Sequence, residues 1–184
     1  MESSSFEPLT YTKSTEENII SSASTFRNQM NHRRSVRMFS KETIPRSVIE
    51  DIIMTASSAP SGAHKQPWTF CVVADPEMKA KIRQAAEKEE YENYHGRMSD
   101  EWLKDLEKFD TNWQKEFLTD APYLIIIFKK AYDFQGDTKS KNYYVSESVG
   151  IAAGFLITAI HVAGLVTLTH TPSPMNFLQA LLDR

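Results

Sequence analysis

Residues 149–166 are almost wholly apolar, with Gly150 and Gly154 four apart, and no other stretch of the chain constrains the fold so strongly. Such a segment has to leave water, either in a bilayer or in a protein core. Its length and its small-xxx-small pair suit a membrane span. Against that stand Thr158, His161, the polar run Ser146-Glu147-Ser148 at its start, and the lack of a basic flank to orient it. The reading adopted is a helix buried on nearly all sides, with Gly150 and Gly154 allowing close helix contact. The rest of the chain then has to supply what surrounds it.

With 184 residues, 41% of them hydrophobic, the chain can do so as one compact domain. Residues 1–30 read as a polar arm leading into a first helix at about 16–30, and residues 31–184 as the domain proper. Pro45 followed by Val48, Ile49, Ile52, Ile53 and Ala56 at helical spacing marks a second helix, which stops at Ala59-Pro60-Ser61-Gly62. Residues 68–74 and 123–128, rich in β-branched and aromatic side chains, read as buried strands, with a helix from Pro76 toward Glu90 between them. Residues 165–169 read as a third strand, and a last helix is expected near Pro174. Helices interleaved with short apolar strands predict an α+β layered domain around one sheet.

Between residues 87 and 118 charged residues alternate with Trp102, Leu103, Leu106, Phe109 and Trp113 at helix-like intervals. The plain reading is a solvated helical hairpin over the core, and periodicity alone supports no more. The functional reading is a lid whose charged face closes over a polar ligand.

Several chemistries are excluded at this level. A net charge of −3 and a pI near 6.0 give no general attraction to nucleic acid or anionic membrane. Histidines at 32, 64, 95, 161 and 170 show no metal spacing, and the lone Cys71 lies in an apolar run where a strand-core thiol is expected. One cysteine forms no internal disulfide, which suits a reducing compartment. The N-terminal residues show no basic n-region and no apolar h-region. Gly-x-Gly-x-x-Gly, Walker and Gly-x-Ser-x-Gly patterns are absent, so a bound phosphate has to be held by arginine.

Four groups of residues can carry chemistry. Arg33-Arg34-Ser35-Val36-Arg37 concentrates three guanidinium groups and a hydroxyl, suited to phosphate because the planar fork donates two hydrogen bonds and stays charged. A solvated surface patch is the plain alternative. Ala59-Pro60-Ser61-Gly62-Ala63-His64 would let backbone N–H groups approach a flat ring or an anion, or is only a helix stop. Thr167-Leu168-Thr169-His170-Thr171-Pro172 leaves a buried strand with three hydroxyls and an imidazole, suited to a heteroaromatic ligand or merely to strand propensity. Glu90 and Tyr94 share a helix face, and with Lys115 they supply an anion, a phenol and a cation, the complement of a zwitterionic amino acid. In so charged a lid such a trio also arises by chance.

Taken in order, these pieces, with Pro67-Trp68-Thr69-Phe70, Asn93-Tyr94, Arg97-Met98 and Thr111-Asn112-Trp113, resemble the iodotyrosine deiodinase branch of the FMN-dependent nitroreductase superfamily from about Asn31 onward. The resemblance implies an α+β homodimer, a mixed sheet flanked by helices with a helical lid at 87–118, and FMN at the subunit interface. Arg33, Arg34, Ser35 and Arg37 match the family's phosphate and ribityl contacts. Pro60, Ser61 and Gly62 match its contacts to the isoalloxazine edge, and Thr169, His170 and Thr171 its loop near the flavin ring. A threonine of that loop approaches flavin N5 in the family; Thr169 and Thr171 both remain candidates for that catalytic contact. Glu90, Tyr94 and Lys115 match the clamp on the halotyrosine zwitterion, and Ala63 a backbone contact to the phenolate.

The activity implied is reductive dehalogenation of halotyrosines, with NAD(P)H or a flavin or ferredoxin reductase as electron source and no metal. Vertebrate members carry an N-terminal membrane anchor not seen in this sequence, so a soluble, cytoplasmic, non-vertebrate type is expected, with no membrane or nucleic-acid partner. The family continues past the position of Arg184 into a further strand and a tail with sheet, dimer and FMN-phosphate contacts, which this sequence is expected to lack. The rival readings are a general FMN nitroreductase or quinone reductase, and a non-catalytic flavin-binding or interaction module whose lid docks a partner helix.

Overall fold

In the computed structural model, which describes residues 8–184, the chain divides after Arg33 into two units. The first contains helix α1 (Glu16–Asn31), whose start is capped by Thr15 accepting a hydrogen bond from the Asn18 N–H at 3.3 Å. Glu16 and Glu17 in its first turn complement the helix dipole. The helix buries none of its residues, and Ile19, Ile20 and Phe26 lie exposed.

The second unit, Arg34–Arg184, is organised by a two-stranded antiparallel ladder of β1 (Trp68–Val73) and β2 (Leu124–Lys129), with Phe70 opposite Ile127 and Val73 opposite Leu124. Successive side chains on a strand face opposite ways. Phe70, Ile125 and Ile127 therefore pack with helices α2 (Arg46–Ser57) and α6 (Val145–Val162), around Ile52, Ala56, Leu156 and Ile160. Val73, Leu124, Ile126 and Phe128 pack on the other side with Ile82 of α3 (Pro76–Glu92) and Leu178 of α7 (Asn176–Leu182). The result is three layers, helix–sheet–helix, as the expected α+β class requires.

Helix boundaries follow from local chemistry. Pro45 precedes α2, where its missing N–H costs nothing. Asp75 caps α3 by accepting from the Met78 N–H at 2.7 Å, with Pro76 in the first turn. The apolar periodicity of α2 is realised as burial of Ile49, Ile52 and Ala56.

Two expectations need correction. Helix α6 is not buried on nearly all sides: it buries one stripe, Ser148, Ala152, Leu156 and Ile160, while Ile151, Phe155 and Val162 are exposed. Among the described residues a Cβ added at Gly150 or Gly154 would meet nothing within 4 Å, so these glycines make no close contact with them. The reason is that α2 and the sheet reach only one side of the helix. Second, residues 165–169 form no strand; Thr167 makes a single parallel bridge to Ser35, backed by the Val36 N–H donating to the Thr167 carbonyl at 3.3 Å. An antiparallel hairpin, β3 (Tyr132–Gln135) and β4 (Thr138–Lys141), also stands where the sequence reading ran straight from β2 to α6. Its turn carries Gly136 at φ 58°.

The segment expected as a lid comprises the end of α3, a π-helical turn Asn93–Arg97, helix α4 (Asp100–Glu107), a loop, and the short α5 (Phe117–Asp120). Ser99 caps α4, which buries no residue of its own.

Candidate active site

One face of α3 determines where the lid's charged groups go. Lys79, Arg83 and Glu87 recur every four residues, so they stack along one side of the helix, and Glu90 continues that side. The buried Lys79 Nζ donates to the carbonyls of Thr119 and Ala121 at 3.2 and 2.9 Å, which fastens the end of α5. Arg83 donates to Glu87 at 2.7 Å and to the Thr119 hydroxyl at 3.1 Å. Glu87 Oε1 in turn accepts the backbone N–H of Lys115 at 2.7 Å. Lys115 is thereby anchored by its backbone to the helix that carries Glu90, despite the intervening lid. Sequence reasoning missed this chain of bonds; the i, i+4 repeat of 79, 83 and 87 was its signal.

At the end of that face the expected trio assembles. Glu90 and Lys115 are both buried, and Lys115 Nζ lies 3.5 Å from Glu90 Oε2. The same ammonium sits 5.3 Å from the centre of the Tyr94 ring, a cation–π distance, and also donates to the Asn112 carbonyl. Tyr94 comes from the π-helical turn, which follows α3 directly and keeps the phenol beside the carboxylate.

The trio has a fourth member that the sequence reading placed elsewhere. His170 Nε2 lies 3.1 Å from Glu90 Oε1, and its ring stands edge-on to Phe117 at 5.3 Å and 89°. Close by, Asn93 Nδ2 donates to the Ser173 carbonyl at 3.0 Å. The loop beyond Thr167 and the base of the lid are thus fastened together at two points.

The electrostatics follow from burial and these partners. Burial works to raise the Glu90 carboxyl, but the hydrogen bond from His170 and the charge of Lys115 outweigh it, leaving the group below its ordinary value. Lys115 is lowered, because burial and the repulsion of Arg37 exceed what the single carboxylate of Glu90 and the more distant Glu116 return. Two cationic or donor groups serve one acid, so the acid gains and the lysine does not. Burial raises the Tyr94 phenol; a hydrogen bond with Thr111 and the charge of Arg37 oppose this, and Glu90 adds to it.

The remaining expected residues fall into three places. Arg34, Ser35 and Arg37 lie exposed on the extended segment bridged to Thr167, beside the exit that carries the exposed Thr169 and Thr171. Arg37 also lies 5.6 Å over the Phe109 ring, at the lid. Arg33 ends the first unit, its N–H donating to the Met30 carbonyl at 3.1 Å. Pro60, Ser61, Gly62 and Ala63 are tied to a different part of the fold, with the Gly62 N–H donating to Ser148 Oγ of α6 at 3.4 Å.

Within that last segment the backbone is unusual. Ala63, His64 and Gln66 all have left-handed φ of 49°, 53° and 45°. Each such non-glycine residue costs on the order of 1 kcal/mol, and strain of this kind concentrates at functional sites. Gly62 is small for a packing reason: a Cβ there would stand 2.9 Å from Tyr144 Cδ2 and 3.2 Å from the Tyr143 carbonyl. Among the described residues no group of three or more His, Cys, Asp or Glu could hold a metal ion.

The model of the nitroreductase family matches residues 30–175. A protein of Haliscomenobacter hydrossis named iodotyrosine deiodinase is 66% identical over 169 residues, covering 91% of this chain and 76% of that protein. The proteins of Hydra vulgaris and Homo sapiens bearing that name are each 48% identical over 91% and 90% of this chain. The chain spans 62% and 57% of their respective lengths, less than two thirds of these animal relatives. Among solved structures, an oxidized iodotyrosine deiodinase bound to FMN and 3-iodo-L-tyrosine superposes with a TM-score of 0.78 at 30% identity, covering 86% of this chain and 80% of that one. An FMN-dependent nitroreductase of Mycobacterium smegmatis, solved with NADPH, shares the fold with a TM-score of 0.62 at 18% identity and covers 88% and 82%. A family model spanning most of Arg34–Arg184, and a relative matched over 76% of its own length, place this chain in the nitroreductase family, within its iodotyrosine deiodinase branch.

Proposed function

We propose that this protein is an FMN-dependent oxidoreductase that removes halogen from halotyrosines, 3-iodotyrosine first and bromo- and chlorotyrosine by the same route, releasing tyrosine and halide. The observation that carries the reading is the cluster of the buried Glu90 and Lys115 with the half-buried Tyr94. A carboxylate and an ammonium 3.5 Å apart hold a zwitterion by exchanging one ion pair for two: Glu90 takes the substrate ammonium and Lys115 its carboxylate. The exchange conserves charge pairing throughout, which is what permits so buried a site to open for a ligand. A nitroaromatic or quinone has no zwitterion to occupy this cluster.

The donor set suits a flavin. Arg34, Ser35 and Arg37 offer guanidinium and hydroxyl groups for the phosphate and ribityl chain, beside the exit leading to Thr169 and Thr171. Arg33 is assigned to the same phosphate, Pro60, Ser61 and Gly62 to the isoalloxazine edge, and Thr169, His170 and Thr171 to the ring's vicinity, with one of the two threonines at N5. FMN, when bound, would supply two electrons that, with one proton, replace the carbon–halogen bond with carbon–hydrogen and release the halogen as halide. The chain's own residues bind and orient: Glu90, Tyr94 and Lys115 fix the amino-acid end, the backbone of Ala63 receives the phenolate, and the closed lid excludes water. NAD(P)H, or a flavin or ferredoxin reductase, is assigned as the source of electrons.

A homodimer completes the proposal. Ile151, Phe155 and Val162 form an exposed apolar stripe on α6, and open space at Gly150 and Gly154 admits a closely approaching helix. We assign that face to a second copy rather than to lipid, because the opposite stripe of α6 is packed in the core of a layered domain, and we assign the protein to the cytoplasm.

The test is reconstitution with FMN followed by titration with 3-iodotyrosine, read from the flavin fluorescence. The proposal expects a yellow protein whose emission is quenched saturably. A protein that retains no flavin refutes it, and one that holds flavin but ignores halotyrosine refutes the substrate.

A further inference from the structure

Glu90 is approached from two sides by groups on different segments. Oε1 faces His170 Nε2 at 3.1 Å and Oε2 faces Lys115 Nζ at 3.5 Å, so the carboxylate plane is fixed by two partners. The imidazole is itself oriented by Phe117, whose ring stands at 89° to it. Lys115 has a second acceptor in the Asn112 carbonyl and keeps a partner if it gives up Glu90; the Glu90 Oε2 side is therefore the one that can change partners. Asn93 repeats the link between lid and loop through the Ser173 carbonyl. Of the charged and titratable groups around Glu90, Lys115, Tyr94 and Arg37 belong to the proposed clamp or its surroundings. His170 alone comes from the loop that carries Thr169 and Thr171.

We propose that His170 is a positioning residue for substrate capture: by holding Oε1 of Glu90 it presents Oε2 to the ammonium group of the amino acid and couples the loop after Thr167 to closure of the lid. This inference rests on the halotyrosine reading above. It gives His170 a role at the amino-acid end of the ligand in addition to its place beside the flavin. A carboxylate free to rotate would divide its time between Lys115 and solvent and would bind the ammonium less well. A hydrogen bond to an ionised group is among the stronger ones in proteins, and its loss corresponds to roughly tenfold in affinity.

The experiment compares His170→Leu, which keeps bulk and removes the donor, with His170→Gln, which keeps a donor. Each FMN-loaded variant is titrated with 3-iodotyrosine and with 3-(3-iodo-4-hydroxyphenyl)propionate, the same molecule without its ammonium, and Kd is read from flavin fluorescence. His170→Leu is expected to weaken 3-iodotyrosine about tenfold and the propionate less than twofold, and His170→Gln to bind both within about threefold of the unaltered protein. Unchanged 3-iodotyrosine affinity in His170→Leu overturns the inference, as does an equal loss of both ligands. If His170→Leu does not fold, His170→Gln decides alone: a tenfold or greater loss of 3-iodotyrosine overturns the inference and retention supports it. Failure of the unaltered protein to bind 3-iodotyrosine strikes the functional reading instead, so the two failures are distinct.

Discussion

Replacing Glu90 by glutamine separates the two things its carboxylate does. The substitution keeps the volume and leaves a hydrogen-bonding amide, but removes the charge that faces Lys115 from a site where both side chains are less than 10% exposed, at 6% and 8%. Breaking a buried ion pair by altering one partner costs about 3–5 kcal/mol, and the retained amide places this case at the lower end. For a domain of this size each kcal/mol moves the thermal midpoint by about 2–4 °C, so a fall of roughly 6–12 °C is expected. Affinity for 3-iodotyrosine should drop about 10- to 100-fold, since a charge-assisted bond to the ammonium becomes a neutral one. A second change, Lys115→Met on the Glu90→Gln background, removes the stranded ammonium and should bring stability back to within about 1 kcal/mol of the unaltered protein, because buried pairs can be replaced by apolar groups at little cost. It should not bring back binding, since the carboxylate of the substrate then has no partner either. Calorimetric melting and flavin-fluorescence titration on the three proteins provide the comparison. Recovered affinity in the double variant, or a Glu90→Gln protein that binds 3-iodotyrosine as tightly as its parent, would refute the reasoning.

Three further outcomes follow from the same geometry. Glu90 ionises below its ordinary value of 4.5 in the folded protein, so its contribution to stability is present above that pH and lost as the pH falls through the lower folded value; thermal midpoints from about pH 5 to 3 should fall more steeply in the unaltered protein than in Glu90→Gln. Gly62→Ala, with its new Cβ driven against Tyr144 and the Tyr143 carbonyl, is expected to cost about 1–3 kcal/mol in urea unfolding. Phe155→Glu on the exposed stripe of α6 should leave the core intact and shift sedimentation from dimer to monomer; an unchanged dimer would place the subunit interface elsewhere.

The parts of this fold that were legible in the sequence are those whose pattern is local. Helix α2 showed in Val48, Ile49, Ile52, Ile53 and Ala56, and strand β1 in Trp68 to Val73, because one face or a short apolar run suffices to define each. The β3–β4 hairpin was passed over although Tyr132 and Phe134 alternate ahead of Gly136-Asp137, a recognised two-residue turn signal; its exposed Phe134 makes it look unlike a core strand. Residues 165–169 have strand propensity, but a strand needs a ladder partner, and among the described residues Ser35 alone bridges to Thr167. The apolarity of α6 announced burial without saying by what: among the described residues the fully buried positions are the stripe Ser148, Ala152, Leu156 and Ile160.

At the site, the i, i+4 relation of Glu90 and Tyr94 could be read from spacing, and Lys115 joined them as the cation that completes the complement of a zwitterion. Its attachment to Glu87, and the approach of His170 to Glu90 across 80 residues of sequence, depend on tertiary packing that no local pattern encodes. The left-handed backbone at Ala63, His64 and Gln66 was equally hidden, since none of the three is a glycine, the residue that adopts it without strain.

The most direct test of the account is a single turnover of the FMN-loaded protein, reduced with dithionite, mixed with 3-iodotyrosine and assayed for products. One equivalent each of iodide and tyrosine per two electrons held by the protein is the predicted result. A reduced, flavin-loaded protein that passes its electrons to a nitroaromatic compound and leaves 3-iodotyrosine intact would contradict it.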